Sequence, residues 1–417
     1  MWNKPWKIKE GLAICIGLLV VGTMLQLSVG SVVWHAFAFP INIWLLISLV
    51  VIIIAMYLLE GKVYAFRFFR TYAAAVPALI IAAVLTVCMG LIKQVPDGMA
   101  SSDSMGLTNM ISSWPFVLIY LYMAIILGLV VCHRLRKFRL RDIPFVVNHL
   151  GLFLFIVAAT LGSADMQKLT MNVARDVPEW RAIDVQGNMT ELPIAIQLVD
   201  FTIDEYPPKL ILINNRTGKE VPEKKPYSLL IDNKFGSGNL GDWTITLKKK
   251  IEDSAPAMKR DTTFYMPWKS TGAMCAVLVS ASNHQAIVGK TRKNVFKQGW
   301  VTCGSYLFPY QAMALDDSVS LVMADREPQR FVSRVQIMTK DGQNVVTDIE
   351  VNKPYDIDGW KIYQLNYDTS RGKWSEMSVL ELVKDPWLPA VYTGILMLAI
   401  GAICMIFTAN KRKEDKL

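Results

Sequence analysis

Six stretches of this chain are apolar for about as long as a bilayer's hydrocarbon core is thick. They lie at Gly11–Val29, Ile41–Leu59, Ala73–Ile92, Pro115–Val131, Phe145–Gly162 and Trp387–Thr408, and none carries a charge in its interior. A helix needs roughly 20 such residues to cross. Backbone in lipid must satisfy its own hydrogen bonds, so each run is predicted to be a transmembrane helix. Five of the six crowd into residues 1–163, the last stands alone in 387–417, and the segment 164–386 between them is polar enough to fold in water. With 53% hydrophobic residues and a mean hydropathy of +0.31, the chain is a mixture of both kinds of structure.

The net charge of +9 and a pI near 9.1 would suit a nucleic-acid binder, so the location of the charge matters. Between Asp165 and Pro386 there are 28 Lys and Arg and 28 Asp and Glu; the excess therefore belongs to the remainder of the chain. It sits in Lys4/Lys7/Lys9, Lys62/Arg67/Arg70, Arg134–Arg141 and Lys411–Lys416, which are alternate connections between the apolar runs. The intervening connections, Gly30–Pro40 and Gln94–Trp114, contain no basic residue. By the positive-inside rule both termini are expected to be cytoplasmic and the 164–386 segment outside, in the bacterial case periplasmic at the inner membrane. Basic runs placed this way account for topology and give no reason to expect nucleic acid. The first apolar run is longer than a leader's core, is followed by no small-x-small site, and reads as a first span.

From residue 164 the pattern changes to a period of two. Leu192, Ile194, Ile196 and Leu198 alternate with Pro193, Ala195, Gln197 and Val199, as in a half-buried strand. Thr244–Leu247, Ala276–Val279 and Val332–Ile337 are further short strands, and Asp358-Gly359 between Tyr355–Ile357 and Trp360–Tyr363 predicts a tight type I′ hairpin. The expected fold is a polytopic α-helical membrane protein of about six spans with a large extracytoplasmic β-rich domain, sandwich-like or barrel-like. Trp2, Trp6, Trp34, Trp114 and Trp387 fall at span ends, where interfacial anchoring with a wet indole N–H is the default.

Signatures of hydrolases, phosphate-binding loops and structural zinc are missing, and no CxxC or CxxCH occurs. The remaining chemistry lies in four histidines and two cysteines. His149 sits about one turn inside the fifth span, where a neutral imidazole can ligate haem iron or simply bond to a neighbouring helix. His133 ends the fourth span and can act as an interfacial residue or lie near His149; His35, beside Trp34, can be interfacial or meet haem on the outer side; His284 falls in a polar segment read as a solvated loop. The spacing of Cys275 and Cys303 permits a disulfide in an oxidising compartment without showing one.

Three segments resemble the ResB (CcsB) family of cytochrome c biogenesis proteins. Asp348–Pro354, the Gly359-Trp-Lys-Ile-Tyr-Gln-Leu-Asn-Tyr-Asp368 stretch and Lys384-Asp-Pro-Trp387 are similar to the family's strand, its G-x-x-x-Y-Q-x-x-Y-D hairpin and its D-P start of the final helix. His149-Leu-Gly-Leu with Leu161-Gly162 is similar to its histidine-bearing helix, and Glu191–Tyr206 to its first outer strand. The common form of the family has three spans before its outer domain, against five here. The resemblance implies one half of a cytochrome c synthase: an accessory subunit with no catalytic residue of its own. Its partner would be a CcsA-type membrane protein, with which it shares haem b held by His149. The haem is presented to apocytochrome c for attachment at CxxCH, with a thioredoxin-like thiol reductant as a further partner. A membrane-anchored scaffold or sensor with a protein-binding outer domain and no haem is the alternative.

Overall fold

The structure, a computed structural model, describes residues 2–95, 103–136, 138–260, 262–288 and 291–414. Among these residues, six helices are long and apolar enough to cross a membrane, at the places the apolar runs predict. They are α1 (Ile8–Val29), α2 (Ile41–Leu58), α4 (Tyr72–Leu91), α5 (Trp114–Arg136), α6 (Ile143–Gly162) and α7 (Leu388–Glu414), with a short α3 (Tyr64–Phe69) before α4. Helix α5 is the pivot, packing against α1, α2, α4 and α6. Its neighbours approach closely because small residues line the contacts: a Cβ on Gly11 of α1 would fall 2.0 Å from the Ala73 carbonyl oxygen of α4. Lipid tails are as apolar as leucine, so such van der Waals fit, rather than hydrophobic drive, holds the helices together.

The last helix depends on the same device. A Cβ on Gly151 of α6 would lie 2.5 Å from the Leu398 amide of α7, and one on Gly394 would lie 2.7 Å from the Phe155 amide of α6. With the backbones this close, the Asn148 side chain donates to the Leu398 carbonyl at 2.8 Å.

Between α6 and α7 the chain forms seventeen strands among the described residues. The first ones are β1 (Gln167–Ala174), β2 (Glu179–Ile183), β3 (Met189–Glu205), β4 (Lys209–Asn214), β5 (Ser228–Leu230), β6 (Ser237–Leu240), β7 (Trp243–Lys259) and β8 (Thr262–Pro267). There follow β9 (Met274–Val288), β10 (Thr291–Thr302), β11 (Met313–Ala314), β12 (Val319–Met323), β13 (Pro328–Thr339), β14 (Asn344–Glu350), β15 (Tyr355–Ile357), β16 (Trp360–Tyr367) and β17 (Met377–Lys384). One sheet runs β14-β13-β3-β2-β1-β17-β16-β15, and its two ends curl toward each other around a single core that includes Ile196, Val335, Trp360 and Leu382. The other two, β10-β9-β7-β6 with β8 on β7, and β11-β12-β4-β5, enclose a second core that includes Leu212, Ile245, Val279 and Leu321. The expectation of a sandwich or a barrel is met by one lobe of each kind.

The alternation read in β3 buries Ile194, Ile196 and Leu198 as predicted, but its phase then breaks. The register slips between Arg334 and Val335, leaving Val199 as an extra residue that points outward, and Phe201 returns to the core. The final hairpin forms as predicted, with Asp358 and Gly359 at φ of 50° and 77°. His284, read as a loop residue, lies instead within β9; its side chain is outside the described residues. The connection between α4 and α5 is the longest in the bundle and carries a helical turn at Leu107–Ser112.

The indole rule also needs correcting. Trp114 donates its N–H to the Gly30 carbonyl at 3.0 Å, Trp34 to the Ile111 carbonyl at 3.4 Å, and Trp387 to Asp165 Oδ2 at 2.7 Å. These N–H groups are satisfied by protein, and the rings act as struts between connections.

Bundle and β module meet at a knot centred on Asp165, just past α6. Its carboxylate accepts from the Phe39 amide at 2.6 Å, the Asn42 side chain at 2.7 Å and the Trp387 indole, tying the starts of α2 and α7 to the end of α6. Burial opposes the charge, yet the Phe39 amide, the Trp387 indole and the Asn42 amide together hold its pKa below the usual carboxylate range. A depressed carboxylate contributes stability above its unfolded pKa of about 3.9, and that contribution is lost as pH falls through the folded value. Asp165→Ala is expected to lower stability by about 2–4 kcal/mol at neutral pH. Thermal midpoints of detergent-solubilised protein should differ most between wild type and variant above pH 5 and converge towards pH 3.

Candidate functional site

On α6 the positions 149, 152, 153 and 156 share one face, and Leu152, Phe153 and Ile156 pack into the bundle core that contains Tyr122 and Ile126 of α5. His149 therefore occupies the Arg-rich end of the seam between α5 and α6. Its Nδ1 lies 2.9 Å from the Phe145 carbonyl oxygen. A carbonyl can only accept, so the proton is on Nδ1, and Nε2 keeps its lone pair and has no hydrogen-bond partner among the described residues. A neutral imidazole oriented through its other nitrogen is the form that binds metal. The Phe145 ring stacks on the imidazole at 3.8 Å, the Arg134 guanidinium lies 4.8 Å over the other partner's ring, Phe145, and Arg134 pairs with Asp142 at 3.8 Å.

The structure thus brings Arg134, rather than His133, to His149. One residue along α5, about 100° of rotation, turns His133 toward α2, where its ring lies 6.5 Å from that of Tyr57. The Tyr57 hydroxyl is buried without a hydrogen-bond partner among the described residues, a costly state inside a bundle. No local signal in the sequence marks Tyr57, and the charge rule alone sufficed to account for Arg134 with the rest of its basic loop.

His35 is far from this seam. It lies in the helical turn Trp34–Phe37, exposed, on the wall of two clefts where bundle and β module meet. The larger, about 1180 Å³, is bounded by Gln26, Trp34, His35 and Asn109 on the bundle side and by Lys168 and Gln186 on the module side. The smaller, about 440 Å³, reaches Asp165 and Trp387. The larger volume is ample for a porphyrin-sized molecule.

In the module, Cys275 and Cys303 line the same core and stand as free thiols. Burial pushes the Cys275 thiol up to about 12 and raises that of Cys303 as well. The hairpin motif that carries the sequence resemblance proves to be architectural. Gln364 is buried at the centre of a polar cluster, its Oε1 accepting from Ser333 and, at 3.0 Å, from Ser378, while its Nε2 donates to the Asn366 carbonyl at 2.8 Å. Tyr367 stacks on Phe201 at 4.9 Å, and Asp368 accepts from the amide and hydroxyl of Ser370 to shape the following turn. Across the lobes, Arg326 pairs with Glu205 at 3.1 Å and Glu252 at 2.8 Å, and Lys373 bonds to Asp253. Among the described residues no cluster of His, Cys, Asp and Glu has the form of a conventional metal site.

These features define a polytopic helical membrane protein with a two-lobed β module inserted between its fifth and sixth spans. Residues 277–375, from β9 to the turn after β16, match the model of the ResB-like family. The match contains Asp348–Pro354 and the Gly359–Asp368 hairpin; His149 and Glu191–Tyr206 lie outside it. No curated protein matches the chain.

Replacing Gln364 by Leu leaves the buried hydroxyls of Ser333 and Ser378 without their shared acceptor and the Asn366 carbonyl without the Gln364 donor, and is expected to cost about 2–4 kcal/mol. Denaturation of the purified protein should show that loss, and the triple replacement with Ser333→Ala and Ser378→Ala should recover part of it.

Proposed function

We propose that this protein is the ResB-type half of a haem-attachment complex. The ResB-like match associates the chain with cytochrome c biogenesis, and it is the observation that carries the reading. In this reading haem b is cargo, shared with a CcsA-type partner, and His149 supplies an axial nitrogen at the cytoplasmic end of the bundle. The fit rests on the imidazole itself: Nδ1 is committed to the Phe145 carbonyl, so Nε2 is available to iron. Arg134 and the adjoining basic loop offer cations to the propionates, with Arg134 held in place by Phe145 and Asp142.

In this reading the basic connections face the cytoplasm and the β module lies on the outer side. There the cleft between module and bundle, with His35 on its wall, is the space in which haem would meet an apocytochrome c whose reduced CxxCH thiols add to the vinyl groups. This chain's own residues hold, orient and screen; none acts on a bond. The module's two cores and its ion pairs make a stiff outer wall for that space, and a thioredoxin-like reductant would keep the client's thiols free.

Two measurements test the reading. In the complex purified with its partner, His149→Gly is expected to lower haem content at least about tenfold and to alter the visible spectrum, with added imidazole restoring part of it. Undiminished haem and normal cytochrome c in cells with the variant would remove His149 from the role. A complex without haem, from cells whose c-type cytochromes are normal when the gene is deleted, would favour a scaffold instead. Protease added to intact spheroplasts should cut within residues 164–386.

A further inference from the structure

The β9–β10 ladder pairs Val301 with Val277 and Thr302 with Ala276. The pairing ends there, with Cys303 following Thr302 where β10 stops and Cys275 preceding Ala276 in β9, so the two cysteines flank the last pair on the same side. Continued by one position, that pairing would set their Cα atoms about 4.5–5.5 Å apart, within the roughly 4.4–6.8 Å that a disulfide spans. Both side chains face the same core, beside Val277 and Val301 of the two strands that carry them. Next to Cys303 the chain leaves β10 for the turn at 304–310, which folds back so tightly that a Cβ on Gly304 would lie 2.6 Å from the Tyr310 amide.

We propose that Cys275 and Cys303 are joined by a disulfide in the mature protein, as a cross-strand staple that fixes the root of the 304–310 turn to β9. The inference rests on the outward placement of the module, since only an oxidising compartment sustains the bond. The thiols seen here are its reduced form. Buried thiols that keep their protons are poor nucleophiles, so the bond forms while the module is still folding, before the core closes over it. The reaction is exchange with a disulfide-bearing thiol oxidant: one S–S bond forms between the two cysteines, the oxidant's S–S bond breaks, and its two sulfurs take up the two protons and two electrons. Once enclosed, the staple is out of reach of thiol reductants, including one serving the client's CxxCH.

The test is made on full-length protein in cells treated with an alkylating reagent before lysis, then mapped as peptides without reduction. A peptide pair joined through Cys275 and Cys303, lighter by two hydrogens than the separate peptides, is the expected result. Reductant should open it only after denaturant is added, and Cys303→Ser should leave Cys275 alkylatable on denaturation. Recovery of both cysteines alkylated from denatured, unreduced wild type would overturn the proposal. Spheroplast protease run in parallel then separates the causes: a module that is cut places the fault in the staple alone, and a module that is protected shows that the outward placement fell with it.

Discussion

One carboxylate sets the relation between the two halves of this molecule. Asp165 stands where the chain leaves the bundle, and its three donors come from the connection between α1 and α2, from α2 and from the start of α7. Two residues later β1 begins, and its antiparallel partner β17 ends at Lys384, paired with Gln167. The module is therefore held by a two-strand stem that continues two packed helices. A loose tether would leave the clefts around His35 without fixed walls; the stem and the Asp165 knot give them walls from both halves.

Energy in the two halves comes from different sources. In the bundle, glycines at the α6–α7 and α1–α4 contacts let backbones touch, and what side-chain volume is lost is returned as dispersion and as the Asn148 hydrogen bond. In the module the cores are mainly aliphatic, with the rings of Phe201, Trp243 and Trp360 among them, and the polar exceptions Ser333, Gln364 and Ser378 are hydrogen-bonded to one another. A satisfied polar cluster of this kind specifies register: sliding β16 by one residue against β17 would turn Gln364 outward and bring an apolar side chain against the two hydroxyls.

Much of this could be read from the chain beforehand, for physical reasons. Apolar length is a local property imposed by the bilayer, so all six spans were visible, and the Asp358-Gly359 turn was visible because positive φ at two successive positions restricts the residues allowed. Pairing of β3 with β13 or β1 with β17 joins residues far apart in sequence and left no local trace. The bulge at Val199 was hidden for the same reason, since it exists only relative to β13. At the candidate site, the protonation and free Nε2 of His149 needed the Phe145 carbonyl, and the choice between His133 and Arg134 turned on helical phase at the end of α5. The structural role of Gln364 was hidden because sequence shows that a polar residue is present but not that it is buried.

The glycine seam between α6 and α7 also dictates an order of assembly. Helix α6 is synthesised more than two hundred residues before α7, so its groove at Gly151 must stay unfilled while the entire module is made and moved to its side of the membrane. A premature occupant, lipid or helix, has to be displaced when the last span arrives. The final contact is thus formed between two elements already fixed at their module ends by β1 and β17, which restricts α7 to one direction of approach and lets it close the bundle as a latch.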